Sequence, residues 1–395
     1  MKTLPYPPTD GFRADVWDRI RSMHRLGYAI HLLVMAPKIP VDAVILHELY
    51  KLVDRIDFVP RAPLRQSVAT VTPTLVARNK TLATTPLTDE YDVTLAESEH
   101  VLRVFDNPFL RTRLRVLRVH NRESKYMWEL ARSDERPAWK AFFAIEALRC
   151  RWFAGTAYRN VDAIWFISRD EYEHFCQIRP APVAAAWLPP ALTIDSETLH
   201  RRVNSKRVLF LGGLKNPLNR DGVRWYIDKV HPLLLNDPDY TLVIAGNADG
   251  SPAAHRLAAE ASRIDRCTVH LSLTDLAPLY DSCAVIINPM RRGSGVKMKT
   301  IHAIQHRIPV VTTPVGVEGS GFTNKEHVLI ADHPRAFADA IRAVLSDPAL
   351  GDAMTDRSHQ YLTSHYNGDR NIEALLSSLL PPPNSDNDGA DCATA

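Results

Sequence analysis

The stretch of this chain best equipped for chemistry is Arg292-Gly293-Ser294-Gly295-Val296-Lys297-Met298-Lys299. Its glycines let backbone N–H groups come close to an anion, and its lysines add whole positive charges. The apolar run Val285-Ile286-Ile287-Asn288-Pro289 precedes it and a helical pattern over 300–306 follows, so the loop joins a strand to the positive end of a helix. A diphosphate would satisfy all of these groups. An ordinary strand-to-helix turn with solvated lysines is the simpler alternative, because loops of glycine and lysine are common.

The elements that must position this loop lie on both sides of it. In the second half, strand patterns at 207–211, 240–245, 268–271, 284–288, 309–313 and 327–330 alternate with helical periodicity at 220–235, 253–262, 276–282 and 335–345. The first half repeats the theme with helix 14–26, ended by Gly27, then strand 29–35, helix 41–52, strand 57–60, helix 68–77, strand 91–96, helix 99–104 and strand 115–119. A long helical region at 124–157 and a strand at 163–168 complete it. Such alternation predicts parallel sheets covered by helices on both faces. Proline and charge replace periodicity between Pro180 and Lys206. The expected division is an N-terminal Rossmann-like domain over 1–190, a linker over 191–206, a C-terminal Rossmann-like domain over 207–365 and a closing helix over 366–380. Residues 381–395, prolines with small polar or acidic residues, cannot bury a core and read as a disordered tail. The fold class is α/β, with two facing doubly wound domains and a ligand held in the cleft at the carboxyl ends of their strands.

Composition narrows the function. The 395 residues exceed what one hydrophobic core usually supports, and 45% hydrophobic with 24% charged residues is the balance of a soluble globular protein. A formal net charge of +3 is too small for a dedicated nucleic-acid binder. Charge is nonetheless concentrated in one place, where Arg111, Arg113, Arg115, Arg118 and Arg122 interleave with apolar residues. That segment offers a peripheral contact to an anionic membrane or an acidic substrate, and equally reads as a solvated basic face leading into a core strand. Cys150, Cys176, Cys267, Cys283 and Cys392 form no Cys-x-x-Cys pair and no zinc spacing, which suits a reducing compartment. With no leader pattern and no apolar run of about 18 residues, the expected location is the cytoplasm, with contact at the inner face of the membrane.

Read as a whole, the second half resembles the nucleotide-binding domain of GT-B glycosyltransferases, and specifically the retaining glycosyltransferase family 4. The residues that carry the resemblance are Phe210-Leu211-Gly212-Gly213-Leu214-Lys215-Asn216-Pro217-Leu218-Asn219-Arg220-Asp221-Gly222-Val223, then Val243-Ile244-Ala245-Gly246, Asn288-Pro289 through Lys299, Ile308-Pro309-Val310-Val311-Thr312-Thr313 and Gly316-Val317-Glu318-Gly319. The first half adds Pro5-Tyr6-Pro7-Pro8-Thr9-Asp10-Gly11 and Val119-His120-Asn121-Arg122-Glu123-Ser124-Lys125-Tyr126, similar to the His-Asn-x-Glu-x-x-Tyr stretch of one branch. The resemblance covers roughly residues 5 to 365 and implies transfer of a sugar, with retention, from a nucleotide-diphosphate donor to a carbohydrate, lipid-linked or secondary-metabolite acceptor. No other cofactor and no metal are implied, because the largest task is to stabilise the departing diphosphate. Lys297, Lys215 and the amides of Gly212, Gly213, Gly293, Ser294, Gly295 and Val296 are the expected counter-charge. Lys299 ranks second, since residues two apart on a helix point off different sides. The resemblance places His120 beside the donor sugar, Glu318 at the sugar or ribose, and Asp10 and Gly11 on the acceptor side.

Two departures temper this. Family 4 enzymes carry a Glu-x7-Glu motif, and here its positions hold Ser294 and His302. Histidine can still bond a ribose hydroxyl through a ring nitrogen. The family also begins with a full apolar strand, whereas only Met1 to Leu4 precede the Pro-Tyr-Pro-Pro loop, so the first strand is expected to be cut short, either by a misassigned start codon or by loss. These departures motivate a second reading, a non-catalytic relative that binds nucleotide or glycan. A sugar-nucleotide epimerase of similar architecture is a third, without a supporting set of carboxylate and histidine.

Overall fold

The computed structural model describes residues 1–36, 42–68, 70–134, 136–178, 183–192, 205–273 and 275–380. Most of the expected linker, and the whole expected tail, lie outside the described residues.

The first half runs α1 (Gly11–Arg25), β1 (His31–Ala36), α2 (Ala43–Tyr50), β2 (Arg55–Pro60), α3 (Thr74–Arg78), β3 (Glu90–Glu97), β4 (Arg111–Val119), α4 (Glu123–Ser133), α5 (Pro137–Ala157), β5 (Ala163–Phe166), α6 (Arg169–Ile178) and β6 (Ala184–Trp187). The second half runs β7 (Arg207–Leu211), α7 (Pro217–Trp225), α8 (His231–Leu234), β8 (Thr241–Gly246), α9 (Pro252–Ala261), β9 (Cys267–Leu271), α10 (Ala277–Ser282), β10 (Val285–Asn288), α11 (Met298–Gln305), β11 (Val310–Thr312), α12 (Pro314–Val317) and β12 (Leu329–Ile330). Three helices close it: α13 (Pro334–Ser346), α14 (Pro348–His365) and α15 (Gly368–Leu379). All pairing between strands is parallel. The second half forms one six-stranded sheet in the order β12-β11-β10-β7-β8-β9. Its inner strands are apolar throughout because helices cover both faces; Val285, Ile286, Ile287 and Asn288 are all buried.

Proline explains where expectation and structure differ. The long helical region at 124–157 breaks before Pro137, which starts α5 at a position where its missing N–H is no loss. The helix expected over 68–77 shrinks to α3 because Pro73 can precede a helix but not sit inside one. Residues 99–104 form a 3-10 turn rather than an α-helix. Within the stretch taken for an interdomain break, Ala184–Trp187 is a strand that pairs with β5. The last helix also belongs elsewhere than its place in the chain suggests. Ile372 and Leu376 of α15 pack with Leu114, Val116, Trp165 and Leu188 of the first half, and Arg25 pairs with Asp369 at 2.7 Å.

The first half is divided. β1 and β2 make a two-stranded sheet, and β3-β4-β5-β6 a separate four-stranded one. Between the free edges of β1 and β3 lies a cavity of about 700 Å³, lined by Met1, Leu33, Tyr91, Leu95 and Leu376 among others. Residues 1–10 form neither strand nor helix. The Met1 amine donates to Leu33 O at 2.6 Å and the Met35 N–H to Met1 O at 3.0 Å, two bonds that bracket Val34 as parallel pairing would.

Candidate active site

The carboxyl ends of β7 and β10 bring the two glycine-lysine loops together. Lys297 is the N-cap residue of α11 and Lys299 stands in its first turn. The Lys299 ammonium donates to Asn219 Oδ1 at 2.7 Å and lies 4.8 Å from the centre of the Phe210 ring. A methyl on Gly212 would sit 2.9 Å from it, so glycine there keeps the cation against the first loop. Burial, reinforced by repulsion from Lys297, lowers the Lys299 pKa to about 7. Lys297 is buried as well. Its pKa falls to about 8 through burial, partly offset by Glu318, whose Oε2 is 3.8 Å from Nζ. Among the described residues Lys299 has no carboxylate partner. A cation desolvated in this way lacks only an anion.

Lys215 reverses its expected rank with Lys299. It is exposed on the turn after β7, its backbone N–H donating to Asn247 O and its carbonyl accepting from Arg220. Lys299 is held inward because its stem lies over Phe210. Gly213 offers its carbonyl to Asn219 Nδ2 at 2.8 Å, so Asn219 ties the loop to the lysine. Asn219 lies within the first loop's motif but was given no role from sequence; it follows Asn216, which caps α7 by accepting from the Leu218 N–H.

The second loop meets the first half of the chain. Gly295 has φ +71°, and a methyl there would come within 2.1 Å of Asn121 Oδ1 and 2.8 Å of His120 O. Ser294 Oγ donates to Arg122 O at 3.4 Å across the same contact. Gly293 lies over Lys297, and Val296 is half-buried in the apolar cluster beneath α11. Gly11 at the head of α1 packs on Met298, while Asp10 is exposed and caps α1 by accepting from the Arg13 N–H at 3.0 Å. His302 is half-buried and its ring makes no hydrogen bond among the described residues. Burial and the neighbouring His306 push its pKa down to about 4, so its ring is neutral.

Glu318 faces both lysine sources. Lys125 binds its Oε1, and its Oε2 is buried without a hydrogen-bond partner. Glu171 of α6 stands nearby and accepts the Arg122 N–H at 3.0 Å. Burial, with Glu318 adding to it, pushes the Glu171 carboxyl up to about 7. Neither Glu171 nor Lys125 was singled out from sequence, because each becomes informative only once α6 and α4 are seen to converge on the Glu318 turn.

His120 departs from expectation. Its Nε2 lies 3.0 Å from Glu97 Oε2 and its Nδ1 3.4 Å from Asp15 Oδ2, so both nitrogens face carboxylates rather than an open sugar site. Those carboxylates belong to a buried network. Arg19 reaches Asp15 at 2.8 Å and Glu97 at 2.6 Å, and Arg118 reaches Asp15 at 3.2 Å. Burial opposes ionisation of Glu97, but Arg19 and the His120 hydrogen bond outweigh it and hold the carboxyl below its usual range. The basic segment is corrected too. Arg111 and Arg113 pair with Glu90 and Asp92 on the adjacent strand and Arg118 is fully buried, which leaves Arg115 as the exposed arginine of β4 whose guanidinium has no carboxylate partner among the described residues.

Comparison with known proteins gives this geometry a family. The sequence model of Glycosyl transferases group 1 matches residues 205–347, which contain both loops. An uncharacterised 44.6 kDa protein of the cps region of Klebsiella pneumoniae is 30% identical over 352 residues, covering 85% of this chain and 87% of its own.

The chain belongs to the group 1 glycosyl transferases.

Solved structures agree on the fold of this glycosyl transferase. Sucrose-phosphate synthase from Thermosynechococcus elongatus superposes with a TM-score of 0.65 at 15% identity, covering 94% of each chain. Anabaena HepE, crystallised with UDP and glucose, superposes with a TM-score of 0.64 at 14% identity, covering 95% of this chain and 98% of its own. The fold is therefore GT-B, as the motifs implied, and the glycosyl transferase places its two lysines where the loops of the C-terminal sheet open toward the first half.

Proposed function

We propose that this glycosyl transferase moves a sugar, with retention, from a nucleoside-diphosphate donor to a carbohydrate acceptor, as a family 4 enzyme would. The observation that carries the reading is Lys299, a desolvated cation with no carboxylate partner beside Lys297 and the head of α11. The donor diphosphate supplies the missing charge. As the glycosidic bond breaks, negative charge grows on the leaving phosphate, and Lys297, Lys299 and the amides from Gly293 to Val296 stabilise it. Their charge makes a metal unnecessary, so activity is expected to persist in EDTA. The orphaned Glu318 Oε2 accepts from a hydroxyl of the donor. Glu171, poised near neutrality, takes the proton from the acceptor hydroxyl directly or through a water. His120 acts behind the site, its ring held by Glu97.

The UDP seen with HepE makes a uridine diphosphate sugar the first donor to try, and the cps-region relative makes surface-polysaccharide assembly the first setting, with a glycan or lipid-linked acceptor. Titration with nucleoside diphosphates followed by transfer assays on a panel of nucleotide sugars tests the reading. Nucleotide binding that Lys299→Met weakens, together with donor turnover, supports it. Binding without turnover on any acceptor would instead favour a binding-only relative, a reading motivated by Ser294 and His302 at the motif's carboxylate positions.

A further inference from the structure

Helix α5 carries an apolar stripe on its solvent side. Ile145, Leu148 and Trp152 are 50%, 66% and 59% exposed. With the exposed Ala141 they follow steps of four, three and four residues, which places all of them on one helical face. Cations flank the stripe. Lys140 and Arg151 fall on one side of it and Arg149 on the other, by the same helical spacing. The one acidic residue of α5, Glu146, turns inward, accepts from the Thr74 N–H and hydroxyl, each at 2.8 Å, and pairs with Arg149 at 2.7 Å. A groove of about 440 Å³ runs along the adjoining face of the helix, lined by Leu75, Met127, Trp139, Phe142 and Phe143. No helix among the described residues is long and apolar enough to cross a membrane.

We propose that α5 is a membrane-docking helix that lies in the headgroup plane of an anionic bilayer, with Ile145, Leu148 and Trp152 among the acyl chains. An apolar stripe with tryptophan at one end and the cations Lys140 and Arg151 along its flank is the pattern of a helix lying in an interface. Lys140 and Arg151 meet lipid phosphates there, while Arg149 is held by Glu146 and the Val68 carbonyl. A second copy of this chain is the poorer occupant. A two-fold contact through the stripe would bring Lys140 and Arg151 of both copies together, with Glu146 already turned inward onto Arg149 and Thr74. The groove favours lipid as well, since its lining of aromatic and aliphatic side chains suits a single hydrocarbon chain. This proposal is independent of the sugar-transfer reading, because α5 contributes nothing to the nucleotide site.

Co-sedimentation of the full chain with vesicles tests it. Binding to phosphatidylcholine vesicles containing 30% phosphatidylglycerol is expected to exceed binding to pure phosphatidylcholine by at least tenfold, and to weaken with salt. Leu148→Glu and Trp152→Glu, both at exposed positions, should each reduce vesicle binding at least tenfold while leaving the melting temperature and nucleoside-diphosphate binding unchanged. Wild-type binding by both variants would overturn the proposal, as would equal binding to the two vesicle types or none to either. A dimer in light scattering that Leu148→Glu splits, without vesicle binding, would assign the face to a second copy instead.

Discussion

Nucleotide binding at the lysine pair should take up protons, and the amount follows from the two pKa values. At pH 8, with pKa values of about 7 for Lys299 and about 8 for Lys297, the first is about nine-tenths neutral and the second about half neutral in the free protein. A diphosphate seated between them favours the charged form of each. Binding at pH 8 should therefore absorb about 1.4 protons per nucleotide. The affinity must fall as pH rises, because more of the binding energy goes into protonating the site. Between pH 7 and pH 9 the protonation cost of Lys299 grows by about 2.3 kcal/mol, about fifty-fold in affinity, and Lys297 adds about tenfold more. Isothermal titration calorimetry with UDP at pH 8 in buffers of different ionisation enthalpy measures the uptake as a slope. Lys299→Met should cut that slope to about half a proton. An observed enthalpy that does not vary with the buffer, or an affinity unchanged between pH 7 and pH 9, would refute the placement of the diphosphate on these lysines.

Gly212→Ala should weaken UDP binding about tenfold with little loss of stability, because the new methyl meets the movable end of Lys299 rather than backbone; calorimetry and a melting curve separate the two effects. Gly295→Ala should instead destabilise by about 1–3 kcal/mol, since φ of +71° and contacts with Asn121 and His120 leave no room for a side chain; a denaturant titration reads this. Glu99 is pushed up to about 8, by burial first and by Glu123 next, so its folded pKa stands above its unfolded one. The stability it contributes is present below about pH 4.5 and is lost as pH rises through 8, so Glu99→Gln should raise the melting temperature more at pH 8.5 than at pH 6. Arg19→Met should cost about 3–5 kcal/mol, because it strands Glu97 and part of the charge of Asp15 in a buried site.

The glycine-lysine loop was legible because its chemistry is local: glycine, lysine and the flanking strand and helix lie within one run of residues. The ranking of lysines was not. Lys215 and Lys299 look alike in sequence, and only the packing of Lys299 over Phe210 and against Asn219 decides which of them is desolvated. His120 illustrates the same limit. Its motif drew attention to it, but its partners Asp15 and Glu97 come from α1 and the end of β3, separations that no periodicity reports. The alternation of strands and helices was readable because each inner strand is an apolar run. Strand β6 escaped because its three alanines carry little strand preference and prolines surround it.

The split sheet of the first half changes what holds that half together. Backbone ladders do not join β1–β2 to β3–β6; side chains do, with Met35 and Val59 packed against Ala96 and Leu117, and α1 bridging the layers as Val16 and Ile20 pack with β1 and β2 while Asp15 and Arg19 clasp Glu97 of β3 and Arg118 of β4. The polar part of this bridge is ionic where a sheet would use backbone hydrogen bonds, and both carboxylates, Asp15 and Glu97, titrate below their usual range. Acid should therefore loosen this joint as those carboxylates protonate, and the α1–β1–β2 layer should swing free as a unit of its own, with hydrogen exchange rising first along the facing edges of β1 and β3.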